Sequence, residues 1–320
     1  MKVNAVFEGG GVKAIALVGA VKASEERGIL FSRMAGTSSG SMVASLLAAG
    51  YSAGEIKNII MTTPFSRFLN KSVLHEIRFI GPMIRLFWKK GLYSGDPLEM
   101  WIYEKLAAKG IRTFDDLEPG RLRIIASDIS RGKMLVLPDD IAQYGIDPKK
   151  MYVAKAVRMS TSIPYFFDPV ILRQKNPSDK TRLFRSSIYI VDGGLLSNFP
   201  LWLFDSTESG NPITPTLGYQ LVGKNERTAR RIHGPLSMSQ ALIATMLDAH
   251  DERYIETHNR FRTIKIPTLG VQTTDFNLSP EKNLELFDSG YSAAKAYFEG
   301  WSASKYLNEY DKIIRQRSIR

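Results

Sequence analysis

The sequence predicts an α/β protein with parallel strand order, and three observations carry that expectation. First, Val3-Asn4-Ala5-Val6-Phe7 is strand-like, is broken by Glu8-Gly9-Gly10-Gly11, and is followed by helical character over residues 12–27. Second, residues 29–35 form another short strand, which delivers the chain to Gly36-Thr37-Ser38-Ser39-Gly40 and a small, apolar helix over residues 42–49. Strand, helix, strand and helix in that order imply a parallel βαβ unit. Third, the alternation continues late in the chain, with strands expected at 218–222 and 263–266 and helices at 237–260 and 280–298.

Taken in order, the first helix is apolar almost all round until Lys22, and Gly28 caps its end. The pattern loosens over residues 62–95, where Ile80 to Lys90 mixes aromatics with cations. That stretch reads either as an interface-seeking flap or as a short helix packed by Ile84, Phe87 and Trp88. Asp96-Pro97-Leu98-Glu99 opens a helix with Asp96 as N-cap and Glu99 completing a capping box. Leu98, Trp101, Ile102 and Leu106 are its buried stripe, and Gly110 ends it. Residues 122–126 and 134–137 read as paired strands, with Asp128 in a turn role between them. A helix over 152–159 runs into Ser160-Thr161-Ser162-Ile163-Pro164. A strand over 186–191 is ended by Asp192-Gly193-Gly194, with Asn198-Phe199-Pro200 just beyond. Ser279-Pro280 starts the last long helix, and the basic tail after Trp301 is expected to fray or lie on a surface. There is no internal repeat or linker, so one unit over 1–320 is the simplest organisation. Its motifs fall within 7–200, and its C-terminal helices and basic tail within 237–320.

The 320 residues contain no cysteine, which removes disulfides, thiolate nucleophiles and thiolate metal sites. A formal charge of +11 favours polyanions, but the cations are scattered and no nucleic-acid-binding signature is present. An anionic membrane surface is the partner that fits, with the aromatic-basic stretch Phe87 to Lys90 as its contact. No apolar run is long enough to span a bilayer, and Glu8 and Lys13 make the N-terminus a poor signal peptide. A cytoplasmic protein, peripheral to a membrane at most, is expected.

In a parallel sheet both glycine-marked joints emerge at the carboxyl ends of the strands, where ligands bind. Ser38 sits on a sharp strand-to-helix turn between Gly36 and Gly40, the geometry of a nucleophile. A serine needs a base. Asp192 ends a buried strand and reaches the same edge if that strand runs parallel; burial would raise its proton affinity. His233, in a loop, is the histidine candidate, and a Ser–His–Asp esterase is the second reading. The N–H groups of Gly9, Gly10 and Gly11 can bind an oxyanion at a helix start. Dinucleotide binding at this glycine run lacks the acidic residue at the second strand's end, and no histidine pair has metal-ligand spacing, so no cofactor or metal is expected. A third reading is a non-catalytic lipid-binding protein on a hydrolase fold.

Phe7-Glu8-Gly9-Gly10-Gly11-Val12-Lys13, Gly36-Thr37-Ser38-Ser39-Gly40, Ser160-Thr161-Ser162-Ile163-Pro164 and Asp192-Gly193-Gly194 together resemble the ordered blocks of patatin-like phospholipases. The resemblance runs to about residue 200 and more loosely beyond. It implies a three-layer α/β/α fold with a mostly parallel central sheet, a lipid ester substrate, and a Ser–Asp dyad without histidine. By matching motifs Ser38 is the nucleophile, Asp192 the base, and Gly9 to Gly11 the oxyanion hole. Gly36, Gly40, Gly193 and Gly194 support these turns. Ala14 stands where the family often has glycine. Lys13 is open to two roles, holding the loop or standing as a solvated cation.

Overall fold

A computed structural model of the chain describes residues 1–63, 65–69, 88–174, 186–205, 214–223, 232, 234, 238, 241, 245, 259–273 and 275–313. The expected start is present: β1 (Lys2–Phe7), α1 (Ala14–Glu26), β2 (Leu30–Thr37) and α2 (Ser39–Ala48), with β1 and β2 parallel. A 3-10 turn over Gly11–Lys13 joins the glycine run to α1. Then come α3 (Ala53–Met61), β3 (Gly91–Tyr93), α4 (Asp96–Ala108), β4 (Leu122–Asp128), β5 (Lys133–Leu137), α5 (Val153–Ser160), β6 (Tyr165–Phe167), β7 (Val170–Gln174) and β8 (Ser186–Asp192). β9 (Thr216–Val222), β10 (Thr263–Pro267), α6 (Pro280–Gly300) and α7 (Ala303–Ile313) complete the order.

The main sheet runs β10-β9-β1-β2-β4-β8-β7, with β5 also paired to β4. The stretch from β10 to β4 is parallel, while β5, β8 and β7 join antiparallel. Side chains alternate across a strand, so each strand feeds two layers. Ala5 and Phe7 point into a core with α1, α2, α3, α5 and α6, whereas Val6 and Ala35 pack against Phe199 and Leu201 on the opposite face. The result is the expected α/β architecture, a mostly parallel sheet flanked by helices. α1 is buried all round from Ala14 to Val21 because α6 covers its outer side. The two helices cross in near contact: a Cβ at Gly19 would lie 1.9 Å from the Phe287 carbonyl oxygen, and one at Gly290 would lie 1.8 Å from that of Ala16.

Some local expectations change. Asp96 is the first residue of α4 rather than its cap; Gly95 holds the cap position, and Glu99 reaches Lys155 at 3.0 Å instead of closing a box. Part of the stretch after Trp301 forms α7, whose Tyr306 and Tyr310 are buried, and residues 314–320 of the basic tail lie outside the described residues. Trp88 stands 73% exposed instead of packing on the body, and Ile80 to Phe87 lies outside the described residues. Most of the helix expected over 237–260 also lies outside them. Among the described residues no helix is long and apolar enough to cross a membrane.

Candidate active site

Ser38 and Asp192 meet because two strands end head to head. β2 pairs with β4 along Leu122 to Ile125, and β8 pairs with it along Ala126 to Asp128. β5 occupies the other edge of β4 from Ile124 to Asp128, so β2 and β8 share one edge, end to end. They run in opposite directions, and their carboxyl ends arrive at the same point. Asp192 thus reaches the Ser38 edge although its strand does not run parallel, the condition set from the sequence; β8 is antiparallel, starts beyond the carboxyl edge of the sheet and descends to it.

Ser38 is held at φ 51°, ψ −128°, a conformation that costs a non-glycine residue about 1–3 kcal/mol. Close backbone packing imposes it. A Cβ at Gly40 would lie 2.3 Å from the Phe7 carbonyl oxygen, so only glycine lets the first turn of α2 press onto the end of β1. The Ser38 N–H donates to Ser160 Oγ at 2.8 Å, and that hydroxyl donates to the Ile125 carbonyl at 2.6 Å. The Ser38 carbonyl accepts from the Ser41 N–H at 2.9 Å and hydroxyl at 2.6 Å. With its backbone pinned, Ser38 Oγ donates to Asp192 Oδ2 at 2.6 Å.

Asp192 is 3% exposed. Its N–H donates to the Ser162 carbonyl at 2.9 Å, and its Oδ1 accepts from the Gly194 N–H at 2.8 Å. Burial pushes its pKa up to about 6, opposed by the hydrogen bonds from Ser38 and Gly194. Gly193 allows the turn to lie against β4, where a Cβ would come 2.2 Å from the Ile125 carbonyl oxygen.

The glycine run lies beside this pair. The Gly9 N–H donates to the Asn198 carbonyl at 3.3 Å, and Asn198 Nδ2 donates back to the Gly9 carbonyl at 3.2 Å. The Gly10 N–H donates to Ser39 Oγ at 3.0 Å. Gly11 (φ 59°) turns the chain into α1, and its N–H meets no acceptor among the described residues. The half-buried Lys13 lays its stem over the loop, Cε 3.3 Å from where a Gly10 Cβ would stand. Asp128 keeps its turn role, accepting from the Ser130 and Arg131 N–H groups at 2.9 and 3.0 Å.

Ser160, Ser162, Asn198 and Ser39 hold the site together, yet the sequence assigned them no role. Their motif blocks marked where to look; the bonds between Ser160 and Ser38 and between Asn198 and Gly9 span more than a hundred residues, while those of Ser162 and Ser39 join segments that no local pattern pairs. His233, like the other three histidines, lies outside the described residues.

Comparisons with known proteins bear on the family and the fold. A family model described as Patatin-like phospholipase matches residues 5–205, well over half of the chain. The uncharacterized protein YqhO of Bacillus subtilis is 41% identical over 94% of this chain and 100% of its own length. The uncharacterized protein R571 of Acanthamoeba polyphaga mimivirus is 26% identical over 91% of this chain and 92% of its own. Among solved structures, VipD from Legionella pneumophila superposes with a TM-score of 0.53 at 17% identity, which shows a shared fold. That match covers 93% of this chain but only 66% of VipD. Ordered motifs, fold and family match converge, and the chain belongs to the patatin-like phospholipase family.

Proposed function

We propose that the protein is a metal-independent serine lipid acyl hydrolase, of phospholipase A or lysophospholipase type, working through Ser38 and Asp192. The observation that supports this most is the buried 2.6 Å hydrogen bond from Ser38 Oγ to a carboxylate whose proton affinity burial has raised. Oγ attacks the ester carbonyl carbon as its proton passes to Asp192. The tetrahedral oxyanion is met by the N–H groups of Gly11 and of Gly10, the latter released from Ser39 Oγ. Gly9, engaged by Asn198, shapes the loop. The intermediate collapses to an acyl-enzyme on Ser38, and the leaving alcohol takes the proton from Asp192. Water then gives a proton to Asp192 and attacks the acyl carbon; Ser38 leaves as the fatty acid departs and regains the proton. No imidazole is required, because hydroxyl and carboxylate are in direct contact.

The test is intact mass after incubation with a fluorophosphonate. One adduct on the wild type, absent from Ser38→Ala and slowed at least 100-fold in Asp192→Asn, is expected. Labelling insensitive to Asp192→Asn would move the base to His233, and no labelling of the wild type would leave a lipid-binding protein.

A further inference from the structure

The same strand arrangement that joins Ser38 to Asp192 lifts part of the sheet beyond its carboxyl edge. Tyr189 of β8 is the centre of this projection. Its carbonyl accepts from the Ile129 N–H at 3.1 Å, and its N–H donates to Ser130 Oγ at 2.9 Å. Ile171 of β7 stands opposite it in register, and Lys90 Nζ lies 5.0 Å above its ring. Strand alternation puts Ile188 and Ile190 inward, so Tyr189, Ile171 and Arg173 share the outward face.

Three large apolar side chains are exposed there: Trp88 at 73%, Ile129 at 49% and Ile171 at 48%. Lys89, Lys90, Lys133 and Arg173 are exposed around them. Residues 88–90, 129–133, 170–174 and 186–191 contain no carboxylate at all. Exposed apolar groups among cations of one sign need a partner that is apolar inside and anionic at its surface. Nucleic acid satisfies the charge and leaves Trp88, Ile129 and Ile171 without a function.

We infer that this outward face of the β7–β8 ribbon, with Trp88 to Lys90 and the β4–β5 turn, docks on an anionic lipid bilayer. The inference names the surface that delivers the lipid ester of the proposed reaction, and it rests on that reading. The ribbon reaches past the edge where Ser38 and Asp192 meet, so docking brings that end of the molecule to the membrane.

The test uses the full chain in vesicle co-sedimentation, comparing phosphatidylcholine alone with phosphatidylcholine containing phosphatidylglycerol. Wild type is expected to pellet with the anionic vesicles and to be released by salt. Each cation near such a surface is worth about 5-fold in partitioning, so Lys90→Gln with Arg173→Gln should weaken binding roughly 25-fold. Trp88→Ser with Ile171→Ser should weaken it at least 10-fold at unchanged charge. Both pairs should hydrolyse a soluble ester, p-nitrophenyl butyrate, at the wild-type rate, which also shows that they fold. Wild-type binding by both pairs overturns the proposal. So does binding lost in the charge variant but kept in the apolar variant and competed by duplex DNA, which marks a general polyanion site. Docking lost as expected, with no ester turnover by any form, would retain the surface and overturn the hydrolase reading instead.

Discussion

Ser38 and Asp192 each hold a conformation or a charge that the fold would be more stable without. The Ser38 backbone, at φ 51°, lies where glycine is at ease. Ser38→Ala and Ser38→Gly both delete the hydroxyl, so their difference isolates the strain. Thermal melts should show the glycine variant about 1 kcal/mol more stable than the alanine variant. Asp192 has a folded pKa raised to about 6 from an ordinary 3.8. Below 3.8 the carboxyl is neutral in both states and carries no penalty; as pH rises through about 6 the buried charge costs stability. Asp192→Asn should therefore exceed wild type in stability at pH 8 by about 2–3 kcal/mol, a margin that shrinks as pH falls from 6 towards 4. Ester turnover by the wild type should run the other way, rising with pH through about 6 as the base ionises. A pH–rate profile flat from 5 to 8 would remove Asp192 as the base.

At the scale of elements, the site depends on how α5 and its following turn brace two strand ends. Ser160 links the Ser38 N–H to β4, and the Ser162 carbonyl receives the Asp192 N–H, so one segment fixes both partners. Ser160→Ala leaves the buried Ser38 N–H without its acceptor, at about 1–3 kcal/mol. We expect kcat on p-nitrophenyl butyrate to fall at least 10-fold with little change in KM. Where α1 crosses α6, Gly290→Ala should destabilise by at least 2 kcal/mol in urea melts despite the better helix propensity of alanine, because the Ala16 carbonyl stands in the way. Much of this was legible in the sequence: the glycine joints, the buried stripe of α4 and the turn at Asp128 all follow from local chemistry. The direction of β8 was not, because a strand's partner and sense are set by tertiary pairing with β4 and leave no mark in residues 186–192. The cap of α4 misled for a related reason: Gly95 must be small where the buried Arg158 guanidinium lies against it, and that packing fixes the helix start.

For the molecule as a whole, the family match stops at residue 205 while the fold does not. β9 lies against β1, Glu8 accepts from the Leu221 N–H, and the Val12 N–H donates to the Thr273 carbonyl at 3.3 Å. α6 covers α1, and the buried Arg262 is paired with Asp205 across the boundary of the match. A chain ending at residue 205 should show no cooperative melt and no fluorophosphonate labelling. The motifs mark the site; residues beyond them, legible only as generic strands and helices, hold the glycine loop in place. The head-to-head junction also has a consequence in time. Ser38 and Asp192 are separated by 154 positions, so on the proposed mechanism the nascent chain presents an inert serine until β8 has been synthesised and has docked. Reactivity then becomes a signature of completed folding. In refolding from urea, labelling of Ser38 should lag behind the recovery of helical circular dichroism; simultaneous recovery would mean that the two strand ends meet early. On the proposed mechanism, a half-made chain therefore carries no activated serine.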